Sequence, residues 1–159
     1  MSSYSRRTLL CLPLALAACG FQPVYGTGGA GSKLQNAVEV SEPATADGYL
    51  VTRRMEERLG RATVPSYRLT LDIRTTRESL AVNRQSNINR YNLIGEADYV
   101  LVEQATGRVV LSGSVNNFTG SSASGTTVAT LAAERDARER LMTLLADQIV
   151  ARLLSSDLA

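Results

Sequence analysis

The chain is predicted to fold as α+β, with two helices packed on one face of a roughly four-stranded mixed or antiparallel sheet, in the order β-α-β-β-β-α. Three observations carry this. Tyr67, Leu69, Leu71 and Ile73 alternate with Arg68, Thr70, Asp72 and Arg74, the period of a strand with one buried face. Tyr91, Leu93, Gly95, Ala97, Tyr99 and Leu101 repeat that period, and a turn at Ala105-Thr106-Gly107-Arg108 leads into Val109, Leu111, Gly113 and Val115, making a hairpin. Ala137, Leu141, Leu145, Ile149 and Leu153 recur at every fourth position, the buried stripe of a long helix.

From the amino end, Arg6 and Arg7 precede a short apolar run, Thr8 to Ala18, that closes on small residues. Residues 1–18 therefore read as an export signal, too short to span a bilayer. Ser5-Arg6-Arg7-Thr8-Leu9 also partly resembles the twin-arginine motif, but two arginines serve any positive leader, so the export route stays open. Residues 19–32 are expected to form a modified N-terminus and a flexible tether, because Gly26-Thr27-Gly28-Gly29-Ala30-Gly31-Ser32 offers almost nothing to bury. A coil from Cys19 to Lys33 reaches about 20 Å. A phosphate-binding glycine loop would need a preceding strand and a following Lys-Ser/Thr pair, and neither is evident.

A single α+β domain is expected over 33–155, with 156–159 as a tail. Lys33 to Val40 reads as a short strand. Ala46 to Leu59 carries Leu50 or Val51, Met55 and Leu59 at helical spacing, with Gly60 as the stop. The polar stretch Arg77 to Arg90 reads as a connection, Gly95 as a bulge or bend, and Gly120 to Gly125 as a loop. Thr126 or Thr127 then caps the last helix, which ends near Leu154. Glu134-Arg135-Asp136 and Glu139-Arg140 on that helix form either a solvated face or a docking patch.

Cleavage before Cys19 would take Arg6 and Arg7 from the 17 basic residues and leave the rest balanced against 15 acidic ones. Formal neutrality argues against a nucleic-acid binder or a polybasic membrane binder. Cys19 would be the only cysteine left, without an intrachain partner, and a chain with no histidine cannot assemble the usual zinc sets. An intermolecular disulfide stays open. More specific is the match of Leu16-Ala17-Ala18-Cys19 to the bacterial lipobox, in which the thiol takes a diacylglycerol and the new amino terminus an acyl chain such as palmitate. Each buried methylene contributes roughly 0.8 kcal/mol, so two or three chains anchor durably without a spanning helix. Gly20 stands where the commonest inner-membrane retention signal has Asp, and by resemblance to bacterial lipoproteins the destination is the outer membrane.

No histidine, no free mature cysteine and no Gly-x-Ser-x-Gly elbow are present, and the carboxylates are interleaved with arginines. An enzyme is not expected, nor a cofactor or metal. Asn117-Phe118-Thr119 matches a glycosylation sequon but reads as a strand end in a chain with a bacterial-type lipobox. The charge that stands out lies between Arg61 and Arg90, where Arg61, Arg68, Arg74, Arg77, Arg84 and Arg90 face only Asp72 and Glu78. Arginine's planar fork suits phosphate, which makes Arg77, Arg84 and Arg90 candidate contacts to an anionic lipid headgroup. Arginine-rich, lysine-poor composition from a GC-rich genome explains the same cluster without a ligand.

Cys19-Gly20-Phe21-Gln22-Pro23-Val24-Tyr25-Gly26, the hairpin with Gly107 and Val109-Val110-Leu111-Ser112-Gly113, and Thr126 to Ala137 together resemble the LptE family of lipopolysaccharide-assembly lipoproteins, in its alphaproteobacterial form. The resemblance implies an α+β domain seated in the lumen of LptD, an outer-membrane β-barrel. There it would act as plug and assembly partner and assist delivery of lipopolysaccharide to the outer leaflet, held on the periplasmic side by its lipid anchor. A substrate-handling lipoprotein of an ABC-type lipid transport system is the alternative.

Overall fold

Period-two patterning produces three long strands. In the computed structural model, which describes residues 24–26, 29–82, 88–122 and 126–156, β2 (Tyr67–Val82), β3 (Ile88–Glu103) and β4 (Val109–Ser122) pair antiparallel in chain order. A three-residue strand, β1 (Val38–Val40), joins β2 in parallel, so the sheet is mixed, with order β1-β2-β3-β4. The helices are α1 (Ala30–Leu34), α2 (Ala46–Leu59) and α3 (Thr127–Leu154). The expected signal peptide, Cys19 and Arg84 lie outside the described residues.

Both long helices cover one face of the sheet, as the sequence predicts. The odd residues Leu69, Tyr91, Leu93, Ala97, Tyr99, Leu101 and Val115 are buried beneath them, while even residues such as Arg68, Arg74 and Glu96 stay out. On the helix side, Val51, Met55 and Leu59 of α2 meet Leu141, Leu145, Ile149 and Leu153 of α3 in one core. Full burial of each such side chain contributes about 1.5–3 kcal/mol. Thr45 caps α2 by accepting from the Gly48 N–H at 3.0 Å, and Thr126 caps α3 by accepting from the Ala129 N–H at 3.3 Å. Gly60, at φ 77°, turns the chain out of α2 in a conformation that a side chain would resist.

Several local expectations change. Lys33 and Leu34 end helix α1 rather than begin a strand; Asn36 (φ 57°) reverses the chain, and pairing starts only at Val38. Gly29 to Ser32, expected in the tether, belong to that helix and its cap: Gly31 is buried and donates to the Val24 carbonyl at 2.9 Å. The polar stretch from Arg77 and the segment up to Arg90 are mostly strand, since β2 runs on to Val82 and β3 starts at Ile88. Gly120 likewise continues β4 instead of opening a loop.

Gly95 is neither a bulge nor a bend. It pairs in register with Thr75 and Asn117, and its missing side chain is what lets α3 approach β3. A Cβ there would stand 2.9 Å from Leu145 Cδ1 and 3.1 Å from Leu141 Cδ2. Gly95→Val should therefore lower stability by about 1–3 kcal/mol, read as a lower urea midpoint with unchanged slope. An unchanged midpoint would mean that α3 stands off the sheet without loss.

Candidate functional site

The half of the β2–β3 pair farther from β1 meets the first turn of α2 and the amino-terminal half of α3. Strand parity turns Thr75 and Arg77 of β2 toward the helices, and capping by Thr45 sets Asp47 in the first turn of α2 above them. Asp47, only 13% exposed, accepts from the Thr75 hydroxyl at 3.0 Å and from Arg138 Nη1 at 3.2 Å. Arg138 lies 4.0 Å from Glu134 one helical turn earlier, and Glu134 lies 3.6 Å from Arg77. The Arg77 guanidinium sits 4.8 Å from the centroid of the Tyr91 ring. Acid and base thus alternate across three elements, Asp47, Arg138, Glu134, Arg77, along an open cleft of about 430 Å³ that Thr45, Ile73 and Leu93 also line.

Under this row, Tyr91 and Ser121 are direct cross-strand partners on the inner face, and both hydroxyls are buried without a hydrogen-bond partner among the described residues. Thr119, one alternation earlier on β4, spends its hydroxyl on the Ala137 carbonyl at 2.8 Å. Among the described residues no group of three or more His, Cys, Asp or Glu side chains is arranged to hold a metal ion. The chemistry on offer is recognition: an anion seeking Arg77 must displace Glu134 and then gains a guanidinium already oriented by an aromatic ring.

The predicted site residues do not converge. Arg77 is on the helix-covered face, inside the ion-pair row, whereas Arg90 is on the opposite face, exposed and without an ion pair among the described residues. Arg84 lies outside the described residues. The rest of the sequence-level charge excess is met from elsewhere: Arg61 by Glu56 of α2, Arg68 by Glu39 of β1, and Arg74 by Asp72, Glu96 and Asp98. The Arg74 guanidinium, helped by the Ser114 hydroxyl, holds the Asp98 carboxyl below its ordinary value. Sequence reasoning passed over Asp47, Tyr91 and Arg138. Strand parity could have placed Tyr91 beneath Arg77, but nothing local tied Asp47 to a helix ninety residues later.

If the row is one unit, Asp47→Ala should cost about 1–2 kcal/mol in chemical denaturation, and a double-mutant cycle with Arg138→Ala should return a measurable coupling. Zero coupling would reduce the contact to an ordinary surface ion pair.

The lipopolysaccharide-assembly family LptE matches over residues 35–153. Among solved structures, a chain designated a lipoprotein from Caulobacter crescentus superposes with a TM-score of 0.67 at 24% identity, covering 82% of this chain and 96% of that one. The rare lipoprotein B of Shewanella oneidensis gives 0.58 at 15% identity, covering 75% and 92%. A minor lipoprotein of Acinetobacter baumannii gives 0.56 at 16% identity, covering 75% and 89%. At these identities the likeness establishes a shared fold. Comparison with curated proteins gives no match.

Proposed function

Because the chain belongs to the LptE family of lipopolysaccharide-assembly lipoproteins, we propose that it is the plug and assembly partner of an LptD-type outer-membrane β-barrel, and that it assists transfer of lipopolysaccharide to the outer leaflet. The observation that carries this reading is the family match over residues 35–153, nearly the whole folded domain. The surface agrees with it. Among the described residues one sheet face is left uncovered and bears mainly polar and charged residues, including the Arg74, Asp98 and Glu96 network, which suits the polar interior of an outer-membrane barrel. No helix among the described residues is long and apolar enough to cross a membrane; in this reading the anchor is the acylated Cys19. Lipid-tethered at the outer membrane, the domain works as a binding module and not as an enzyme.

Affinity purification of the lipidated protein from solubilised outer membranes tests the partner. A stoichiometric large β-barrel is the expected companion; inner-membrane transport components in its place would favour an ABC-type lipid transport lipoprotein. Cys19→Ala should fold normally yet lose direct membrane attachment, seen as release by detergent concentrations that dissociate barrel contacts but not acylated protein. Retention through that step would exclude the acyl anchor.

Arg90 and Arg77 enter as contacts to lipopolysaccharide phosphates, together with Arg84, but with unequal parts. Arg90 is free to pair, while Arg77 must exchange Glu134 for the ligand. Arg90→Gln is expected to weaken binding of purified lipopolysaccharide at low salt by about two- to fivefold, and Arg77→Gln by less. Undiminished affinity in a folded variant carrying both changes would remove the arginines from the reading.

A further inference from the structure

The chain enters the domain through a folded collar. The Val24 carbonyl accepts from the Gly31 N–H at 2.9 Å, and the Gly26 carbonyl accepts from the Gly29 N–H at 3.0 Å and from the Ser32 hydroxyl at 3.1 Å. The Tyr25 ring closes over Gly31: a Cβ at that position would stand 2.8 Å from Tyr25 Cδ1 and 2.8 Å from the Val24 carbonyl oxygen. Leu34, at the end of α1, is fully buried in the core. Val24 is therefore fixed to the domain. It lies five residues past Cys19, and a chain of that length reaches at most about 18 Å.

The collar sits at one end of a long sheet. The Asn36 N–H donates to the Leu59 carbonyl at 2.7 Å, and the Ala37 carbonyl accepts from the Ser66 and Tyr67 N–H groups, which holds α1 beside the end of α2 and the start of β2. The Gln104 N–H donates to the Ser66 carbonyl at 2.9 Å and brings in the turn between β3 and β4. From Tyr67 at this end, the sixteen residues of β2 run about 50 Å to Val82. Apolar side chains stand uncovered here: Tyr25 is 61% exposed, Val64 in the loop after α2 is 82% exposed, and Val109 at the start of β4 is exposed too. Val128 and Leu131, in the first turns of α3, are exposed at the opposite end, where β4 closes on Ser122. A tether of five residues puts the acyl chains beside the first group and not the second.

On the reading that Cys19 is acylated, we propose that the collar end is a lipid-contact face, held against the membrane surface by this short tether, with Tyr25 and Val64 seated among the headgroups and the domain standing end-on. A tyrosine suits that depth, with an apolar body and a polar tip. The occupant is a lipid surface because acyl chains on Cys19 fix a bilayer within about 18 Å of Val24. Lying flat is disfavoured: the open sheet face, with Arg74, Glu96 and Asp98, would lose hydration against lipid and gain nothing apolar in return. A coil running from Cys19 to Lys33 would leave the orientation free; a collar that takes up Val24 to Leu34 does not. The end that carries Arg77 and Arg90 is then presented away from the leaflet that holds the anchor. This face depends on the acyl anchor and is independent of the barrel partner.

The test uses the full acylated chain in vesicles of phosphatidylethanolamine and phosphatidylglycerol. An environment-sensitive fluorophore is attached at Val64→Cys or at Val128→Cys, both exposed positions, and quenched by lipids spin-labelled at the headgroup. Quenching at position 64 is expected to exceed that at position 128 severalfold. A flexible spacer of about ten Gly and Ser residues between Pro23 and Val24 leaves the collar and core untouched and should bring the two positions to similar quenching. Equal quenching in the chain without the spacer, or more at position 128, would overturn the end-on face. Quenching at position 64 that the spacer does not diminish would overturn the short tether as its cause. If the unsubstituted protein does not float with the vesicles, the acyl anchor falls and the face with it, whatever the outcome of barrel copurification.

Discussion

The fold depends on one contact surface: α3 lying flat on the inner face of β3 and β4. Leu141 and Leu145 pack against the sheet at Gly95, where a side chain would crowd their tips, and Ala97 beside it is fully buried under the same helix. With α3 seated, α2 has a wall to pack against, and β1 is held by its pairing with β2 and by α2. Remove the close approach and the two helices lose the core they share, since neither buries its apolar stripe alone. The same seating decides what stays open. A helix over one face leaves the other face polar and wet.

The elements with strong periodicity were legible in the sequence. The alternation in β2 and β3 and the four-residue recurrence in α3 translate directly into buried faces, because side-chain direction follows backbone geometry. The misreadings share a physical cause. α1 is only five residues, Ala-Gly-Ser-Lys-Leu, too short to hold by its own propensity, so it is held by tertiary contact at Leu34 and Gly31. The far half of β2 puts Thr75, Arg77 and Ser79 on the inner face, where the backbone ladder and not apolar burial maintains the strand. A sequence pattern reports burial; it is silent where hydrogen bonding alone continues an element.

Arginine clustering shows the same limit from the side of charge. Along the chain, Arg61 to Arg90 is a run of excess positive charge, yet Glu56, Glu39, Asp98 and Glu134 arrive from other elements to meet it. Individually such exposed pairs contribute little stability. Collectively they fix which guanidinium groups are spoken for. Among the described residues Arg90, Arg135 and Arg152 make no ion pair. Arg90 and Arg135 belong to the hairpin end of the domain and Arg152 to the other end of α3, so the cations free to meet a ligand or partner are divided between two ends, and parity alone separates Arg77 from Arg90.

An uncharged edge strand is a liability in a free monomer, because unpaired N–H and C=O groups template association with any extended chain. Here the exposed stretch is bounded on both sides: the bulge near Val110 closes one end, and the Asn117 and Arg140 side chains occupy the backbone at the other.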